Sequence, residues 1–185
     1  MNKRLFLAIP LPYSFHKIVA DLHNRLGGFG NLKLVKPENV HLTLKFLGNV
    51  DEERIQDIVD RLSLIRDKPS FNISVFGLGA FPNNKSPRVI WMGVREGFDE
   101  IVDMQKEIDS SLESAGFERE ARFHPHYTLA RVKYLNNKVG LAGFLKEKSS
   151  LAFGMHTAER VVLMESMLSP KGPKYSVIRE FRLKK

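Results

Sequence analysis

Two histidines, each followed two residues later by a threonine, are the side chains of this sequence best suited to catalysis. They are His41 with Thr43, in the segment HLTL, and His126 with Thr128, in the segment HYTL. Side chains two positions apart in a β-strand point to the same face, so each motif would present an imidazole and a hydroxyl together. Imidazole titrates near pH 6.5 (roughly), so at neutral pH one histidine can accept a proton while the other donates one. On opposite sides of a phosphodiester they would act as general base and general acid, with the threonines hydrogen-bonding phosphate oxygens.

The two His-x-Thr motifs occur in matching contexts, 85 residues apart. The same offset relates residues 5–7 to residues 90–92, both apolar and strand-like, and relates the helical patterns that follow them. This predicts an internal duplication, with a first half of about residues 1–85 and a second half of about residues 86–185. Two lobes related by a pseudo-two-fold axis would bring both motifs to one central cleft.

Hydrophobic periodicity predicts strands and helices in alternation. Strands are predicted over residues 4–9, 32–35, 40–48, 71–76, 89–94, 160–167 and 175–183, and helices after Pro12, from residue 51, over 98–115 and over 138–146. Residues 77–87 are turn-rich and would connect the halves without the composition of a flexible linker. We therefore predict one compact α+β domain over residues 1–185, with antiparallel-rich sheets and helices packed outside.

Composition limits the classes of partner and site. The chain has 29 Lys and Arg against 21 Asp and Glu, a formal net charge of +8, which favours an anionic partner such as nucleic acid. The absence of cysteine excludes disulfides, cysteine-ligated zinc and iron–sulfur sites. No apolar run approaches the length of a membrane span, so no membrane partner is expected, and the N-terminal segment is interpreted as the first strand of a cytoplasmic protein.

The paired motifs resemble the 2H phosphoesterase superfamily. The segments HLTLKFLG and FHPHYTLAR are similar to its RNA 2′,3′-cyclic phosphodiesterase branch, historically called 2′-5′ RNA ligases, and RLFLAIPLP, SPRVIWMGV and LMESMLSPKGPKYSV extend the match over most of the chain. The resemblance implies a bilobal 2H-phosphoesterase-like fold around a central cleft. It also implies metal-independent, cofactor-free hydrolysis of RNA 2′,3′-cyclic phosphodiester ends to 2′-phosphomonoesters, and 2′-5′ ligation in the reverse direction. In the family's pattern His41 is the proton donor and His126 the acceptor, although the sequence alone cannot assign these roles because the motifs are nearly equivalent.

Arg131 is the first candidate for binding the phosphate. The family carries an arginine at this position of its second motif, and a guanidinium suits a phosphate because its planar fork can donate two hydrogen bonds. Strand alternation places Arg131 on the face opposite His126 and Thr128. A β-bulge or the end of the strand between Ala130 and Arg131 would be needed for phosphate contact.

Two further residues are candidates for contacting substrate. Lys45 shares strand parity with His41 and would either line the cleft or lie at the edge of the sheet. Tyr175 follows the basic turn at residues 171–174 and would stack on or bind the substrate. Phe46, by the same alternation, has the parity of the core and is expected to pack there.

The remaining histidines are expected to be structural or exposed. His124-Pro125-His126 resembles a metal-ligand pair, but no carboxylate lies at a suitable spacing, so we expect no metal and assign His124 to orienting the strand or its neighbour. His23 and His156 are expected at the surface.

Two other functions are consistent with the same residues. One is a phosphodiesterase for a cyclic nucleotide or another small cyclic phosphate, and the other is a non-catalytic RNA-binding module. Two intact motifs argue against the module, because binding alone requires neither a proton donor nor an acceptor. The expected partner is an RNA end bearing a 2′,3′-cyclic phosphate, on a tRNA-like molecule or a short oligonucleotide, and the chain is expected to be a monomer.

Overall fold

Nine β-strands and four α-helices follow one another within residues 1–169 and 172–185, which the computed structural model describes. The strands are β1 (Asn2–Pro10), β2 (Gly30–Leu34), β3 (His41–Asp51), β4 (Phe71–Phe81), β5 (Val89–Val94), β6 (His126–Leu135), β7 (Ala152–Ala158), β8 (Arg160–Met167) and β9 (Lys174–Arg182). The helices are α1 (His16–Leu26), α2 (Ile55–Arg61), α3 (Phe98–Glu113) and α4 (Lys138–Glu147). β4 continues to Phe81, so the first part of the predicted loop over residues 77–87 is strand instead.

The strands form one antiparallel sheet in the order β7-β4-β5-β6-β3-β1-β8-β9, with β2 paired to the outer part of β6. β3, β1, β8 and β9 make up the first lobe, and β6, β5, β4 and β7 make up the second. The lobes meet where Leu42 of β3 pairs with Tyr127 of β6. The two strands that carry the His-x-Thr motifs are therefore direct neighbours at the centre of the sheet.

Each half of the chain contributes strands to the lobe of the other half. β4 leaves the first half to pair with β5, and β8 leaves the second half to pair with β1. Both pairings have the same register under the 85-residue offset, since Leu7 faces Leu163 while Met92 faces Leu78. This repeated register supports the duplication inferred from the sequence.

The hydrophobic core lies between the sheet and the helices. Each long helix turns a stripe of apolar side chains inward, at the three- and four-residue spacing expected of an amphipathic helix. These stripes include Val19, Leu22 and Leu26 of α1 and Ile101, Ile108 and Leu112 of α3. The α+β class with antiparallel strands and outer helices is confirmed. No helix among the described residues is long and apolar enough to cross a membrane.

Candidate active site

The central cleft is formed where β3 and β6 run side by side. One part of it is lined by His41 and Thr43 of β3 and by Thr128 and Arg131 of β6. His126 lines the adjoining part, which also includes Thr43, Thr128 and Arg131, so the two parts form one surface. The intervening Leu42 and Tyr127 point the other way and are fully buried. Strand alternation thus delivers the four motif residues to one place, as the spacing predicts.

Both cleft histidines are anchored in the same way. Nδ1 of His41 donates to the carbonyl oxygen of Asn39 at 2.7 Å, and Nδ1 of His126 donates to the carbonyl oxygen of His124 at 2.7 Å. A carbonyl oxygen only accepts, so the proton of each neutral ring resides on Nδ1. Nε2 of each ring is therefore left free to accept a proton, or to donate one when the ring is charged.

Aromatic rings surround both histidines. Phe6 stacks on His41 with ring centroids 4.9 Å apart, and Tyr175 meets the same ring edge-on at 5.5 Å. Phe81 meets His126 edge-on at 5.0 Å, and Trp91 lies 6.2 Å away. Each imidazole is thus held between two rings in a largely apolar setting, which fixes its orientation.

This apolar setting lowers the pKa of both histidines. Burial lowers the pKa of His41 to about 4, against the opposing effect of its bond to Asn39, and the charge of His126 lowers it further. Burial is also the main cause that lowers the pKa of His126. Its bond to the carbonyl of His124 opposes this effect, and the charges of His124 and Arg131 lower the pKa further. In the free protein the neutral form of both rings is favoured, and a bound phosphate would favour the charged form.

Arg131 reaches the cleft because β6 carries a β-bulge. The register with β5 shifts so that Ile90 faces Ala130 while Trp91 faces Thr128, which leaves Leu129 as the extra residue. Leu129 and Ala130 are both fully buried, and the side chain of Arg131 then falls on the cleft face. The bulge that a phosphate contact by Arg131 requires is present, one residue earlier than the predicted position.

His23 holds this bulge in place. The carbonyl oxygen of Leu129 accepts from the backbone N–H of Val35 at 2.8 Å and lies 3.1 Å from Nε2 of His23. His23 is 8% exposed, so its predicted surface position is wrong. The sequence contains the signal, because His23 follows Val19 by four residues and precedes Leu26 by three, on the apolar face of α1.

An equivalent bulge in β3 turns the ammonium group of Lys45 inward, although the residue still borders the cleft. The pairing with β1 shifts between Leu7 and Ala8, Leu44 and Lys45 are both buried, and Phe46 is 62% exposed at the cleft. The ammonium group of Lys45 is occupied by an internal ion pair, so it is not free to contact substrate, and the predicted core position of Phe46 is wrong. Both predictions assumed strict alternation beyond Thr43.

Lys45 instead stabilises the wall of the cleft from inside. Its ammonium group is ion-paired with Asp109 of α3 and donates to the carbonyl oxygen of Glu118 at 2.6 Å. The same Asp109 carboxylate accepts from the backbone N–H of Glu120 and from the side chain of Gln105, each at 2.8 Å. Burial alone would raise the pKa of Asp109, but these hydrogen bonds hold the pKa below its usual range. Glu120 and its neighbours line the cleft, so the ion pair fixes that segment.

Tyr175 lines the cleft, where its contact with substrate stays a prediction. It packs against Phe6 with centroids 5.2 Å apart as well as against His41, and it belongs to the cleft lining. Lys171, in the basic turn that precedes it, lies outside the described residues. Arg4 and Lys33 line the same part of the cleft as Arg131, so three cations face this space.

His124 lines the cleft beside His126, and His156 packs against the buried Tyr127. The side chain of His124 packs among Phe81, Trp91 and Phe98, with centroids 5.4 to 5.9 Å away. In the described part of the chain, no group of three or more His, Asp or Glu side chains is arranged to hold a metal ion. His156 is half-buried, and its Nε2 lies 2.9 Å from the hydroxyl oxygen of Tyr127, so it lies only partly at the predicted surface.

A family model described as LigT like Phosphoesterase matches the chain twice, over residues 9–91 and over residues 93–175. The chain belongs to the LigT-like phosphoesterase family. Each match contains one His-x-Thr motif, and the resemblance noted from the sequence is thereby confirmed.

Relatives of this LigT-like phosphoesterase extend over its whole length. A protein of Archaeoglobus fulgidus is 40% identical over 96% of this chain and 99% of its own, and one of Methanocaldococcus jannaschii is 38% identical with the same coverage. Both are named RNA 2′,3′-cyclic phosphodiesterase. A crystal structure from Thermus thermophilus is 29% identical, covers 98% of both chains and superposes with a TM-score of 0.83. The LigT-like fold predicted for this chain is thus confirmed.

Proposed function

We propose that this LigT-like phosphoesterase is an RNA 2′,3′-cyclic phosphodiesterase that opens the cyclic phosphate to leave a 2′-phosphate. The observation that carries the proposal is the pair of equivalent histidines, each with Nδ1 bound to a carbonyl two residues earlier and Nε2 free at one shared cleft. The names of the relatives from Archaeoglobus fulgidus and Methanocaldococcus jannaschii support the same activity.

The proposed reaction uses one histidine on each side of the phosphorus. Neutral His126 takes a proton from water at Nε2 as the water oxygen bonds to phosphorus. Protonated His41 gives its Nε2 proton to O3′ as the P–O3′ bond breaks. This assignment follows the family resemblance; burial lowers the pKa of His41 to about 4 in the free protein, so the bound phosphate must raise that pKa for His41 to act as the donor. Acid–base steps of this kind contribute roughly 10² to 10⁴ in rate.

The charge that develops on the phosphate would be stabilised by Arg131 and the two threonines. Arg131 offers a planar fork of donors, and the hydroxyls of Thr43 and Thr128 lie on the same face as the histidines. These groups are held on adjacent strands, so they are preorganised for the charge rather than recruited by it. The mechanism assigns no step to a metal ion.

The reverse reaction would join a 2′,3′-cyclic phosphate end to a 5′-hydroxyl and form a 2′-5′ linkage. The same two histidines would exchange roles, since a forward acid is a reverse base. Water is the abundant nucleophile, so we expect hydrolysis to dominate. The monomeric state, the cytoplasmic location and the division into halves near residue 85 remain predictions from the sequence.

An end-group assay in EDTA tests the proposal. A short RNA ending in 2′,3′-cyclic phosphate is incubated with wild type, His41→Ala, His126→Ala and the control His16→Ala, which changes a histidine on α1 outside the cleft. We expect wild type and the control to produce 2′-phosphate, and each cleft variant to lose about 10² to 10⁴ in rate. Activity that appears only with a divalent ion would reject the metal-independent mechanism. A wild-type protein that binds this RNA without opening the ring would reject the activity.

A further inference from the structure

A second cationic surface begins where the central cleft ends. Lys85 and Arg88, in the connection from β4 to β5, line it together with Lys133 of β6, Lys138 of α4 and the ring of Tyr134. We call this surface the basic groove. Its described lining contains four cations and no carboxylate, so it presents one sign of charge to solvent.

The basic groove adjoins the cleft along β5 and β6, although the two share no lining residue among those described. Val89 faces Arg131 across the two strands, and both residues line the cleft. One residue further out, the backbone N–H of Val132 donates to the carbonyl oxygen of Arg88 at 2.9 Å, and these two residues line the basic groove. At about 3.3 Å per residue, Tyr134 lies about 10 Å beyond Arg131 along β6. A chain that leaves the cleft in this direction would meet the basic groove next.

The four cations of the basic groove are available to an external anion. Thirteen ion pairs occur among residues 1–169 and 172–185, and none of these includes Lys85, Arg88, Lys133 or Lys138. All four side chains belong to exposed residues. Unpaired cations close together repel one another and gain most from a partner with several regularly spaced negative charges, as in a polynucleotide backbone.

Tyr134 adds an aromatic surface beside these cations. It is 66% exposed although it lies within β6, where a neighbour, Leu135, packs against the core. An exposed aromatic ring within a cationic groove is the combination used for single-stranded nucleic acid, because bases stack on the ring while phosphates meet the cations. An acidic protein surface would pair with the cations, but it has no bases to stack on the exposed ring of Tyr134.

We propose that the basic groove binds the single-stranded RNA that precedes the cyclic phosphate end. This inference rests on the proposed function for the position of that end, and it adds a substrate preference. The enzyme selects the ends of RNA chains over mononucleotides, because only a chain reaches the basic groove from the cleft. The preference resides in the Michaelis constant, since the basic groove contacts no reacting atom.

Two substrates test the proposal on the intact protein. They are a mononucleoside 2′,3′-cyclic phosphate and an RNA of about 12 nucleotides with the same end, within the usual site sizes of single-strand binders. The test variant is K85Q/R88Q/K133Q/K138Q. The control, K17Q/K106Q/R182Q/K184Q, makes the same change in net charge on α1, α3, β9 and the C-terminus.

We expect the test variant to lose about tenfold or more in kcat/KM on the RNA. For this variant, a plot of log kcat/KM on the RNA against log salt concentration should also be shallower. The slope should change by about 0.7 for each phosphate that the groove no longer neutralises. Its kcat/KM on the mononucleotide stays within about twofold of wild type, as expected for residues outside the cleft. The control retains both activities. Tyr134→Ala is expected to lose about fivefold or more on the RNA, while Tyr134→Phe retains wild-type values because stacking is preserved.

An unchanged ratio of RNA to mononucleotide activity in the test variant would overturn the proposal and leave the basic groove to an acidic protein partner. A wild-type protein that opens neither substrate would reject the proposed function instead. The basic groove is then tested by fluorescence anisotropy with an unreactive RNA that ends in a 3′-hydroxyl. Weaker binding by the test variant but not by the control supports the proposal, and equal binding by both rejects it.

Discussion

Phe46 and Arg131 occupy equivalent positions in the two halves of the molecule, 85 residues apart and each directly after a β-bulge that turns its side chain to the cleft. The same bulge therefore occurs in both halves, while the residue after it differs. A planar aromatic ring faces the cleft from one lobe, and a guanidinium faces it from the other. The cleft is symmetric in its histidines and threonines and asymmetric in the residues that would hold the substrate.

Arg131→Gln is expected to lower kcat/KM by about 10² to 10³, because a charged donor aimed at the developing phosphate charge is lost. Phe46→Leu is a matched change at the equivalent position of the other lobe, and it should mainly raise KM. Steady-state kinetics on a cyclic-phosphate RNA measure both, with circular dichroism as the check of folding. A loss of less than about threefold in Arg131→Gln would mean that this guanidinium does not hold the phosphate in the transition state.

The pH dependence of kcat/KM should be bell-shaped, with its maximum on the acid side of pH 6.5 (roughly the value of an unperturbed histidine). The rate falls above the higher histidine pKa because the donor has lost its proton, and it falls below the lower pKa because the acceptor has gained one. Burial lowers both values in the free enzyme, that of His41 to about 4. The profile of kcat should lie at higher pH, since a bound phosphate anion stabilises both imidazolium forms. A maximum of kcat/KM on the alkaline side of neutrality would contradict this prediction.

Lys45→Met should destabilise the fold by about 3 to 5 kcal/mol, because the carboxylate of Asp109 would be buried without its cation. The double variant Lys45→Met with Asp109→Asn should regain most of this free energy of unfolding, since no buried charge remains. Urea unfolding measures the difference. The kcat/KM of the folded double variant should remain within about tenfold of wild type, far above that of Arg131→Gln. A loss as large as that of Arg131→Gln would restore Lys45 to the phosphate site.

Acid should destabilise the wild-type protein partly through His41. The pKa of His41 in the folded state is about 4, below the value of about 6.5 for an unperturbed histidine. The folded state therefore disfavours the proton, so this contribution to stability is complete above about pH 6.5 and is lost as pH falls towards 4. His41→Gln should show a smaller loss of stability between about pH 7 and pH 5 in urea titrations, and His16→Gln should behave as wild type. Equal slopes in all three proteins would contradict the assigned pKa.

Much of the cleft could be predicted from strand alternation and the internal repeat. His41, Thr43, His126 and Thr128 lie before either bulge, where the two-residue period of a strand holds. The α+β fold and the family were predictable for the same reason, since the apolar patterns recur in order around both motifs. These predictions depend on local periodicity, which the sequence records directly.

The errors begin at the bulges. Unbroken alternation misplaces Lys45, although the internal repeat of the sequence indicates the correct position. A bulge that turns Arg131 to the cleft implies the same bulge 85 residues earlier, which turns Phe46 to the cleft and Lys45 inward. The ion pair of Lys45 with Asp109, 64 residues away, was beyond reach because no local pattern encodes a partner on another element.

The exchange of β4 and β8 between the lobes makes each half of the chain an incomplete folding unit. If the first half of the chain were produced on its own, β1 would lack β8 on one side, and β4 would lack both of its partners, β5 and β7. Two copies of a single ancestral half could have paired these open strand edges by exchanging the strand that corresponds to β4 and β8. The result would have been a homodimer with one His-x-Thr strand from each copy meeting at the two-fold axis, and gene fusion would later have freed each side of the cleft to change separately.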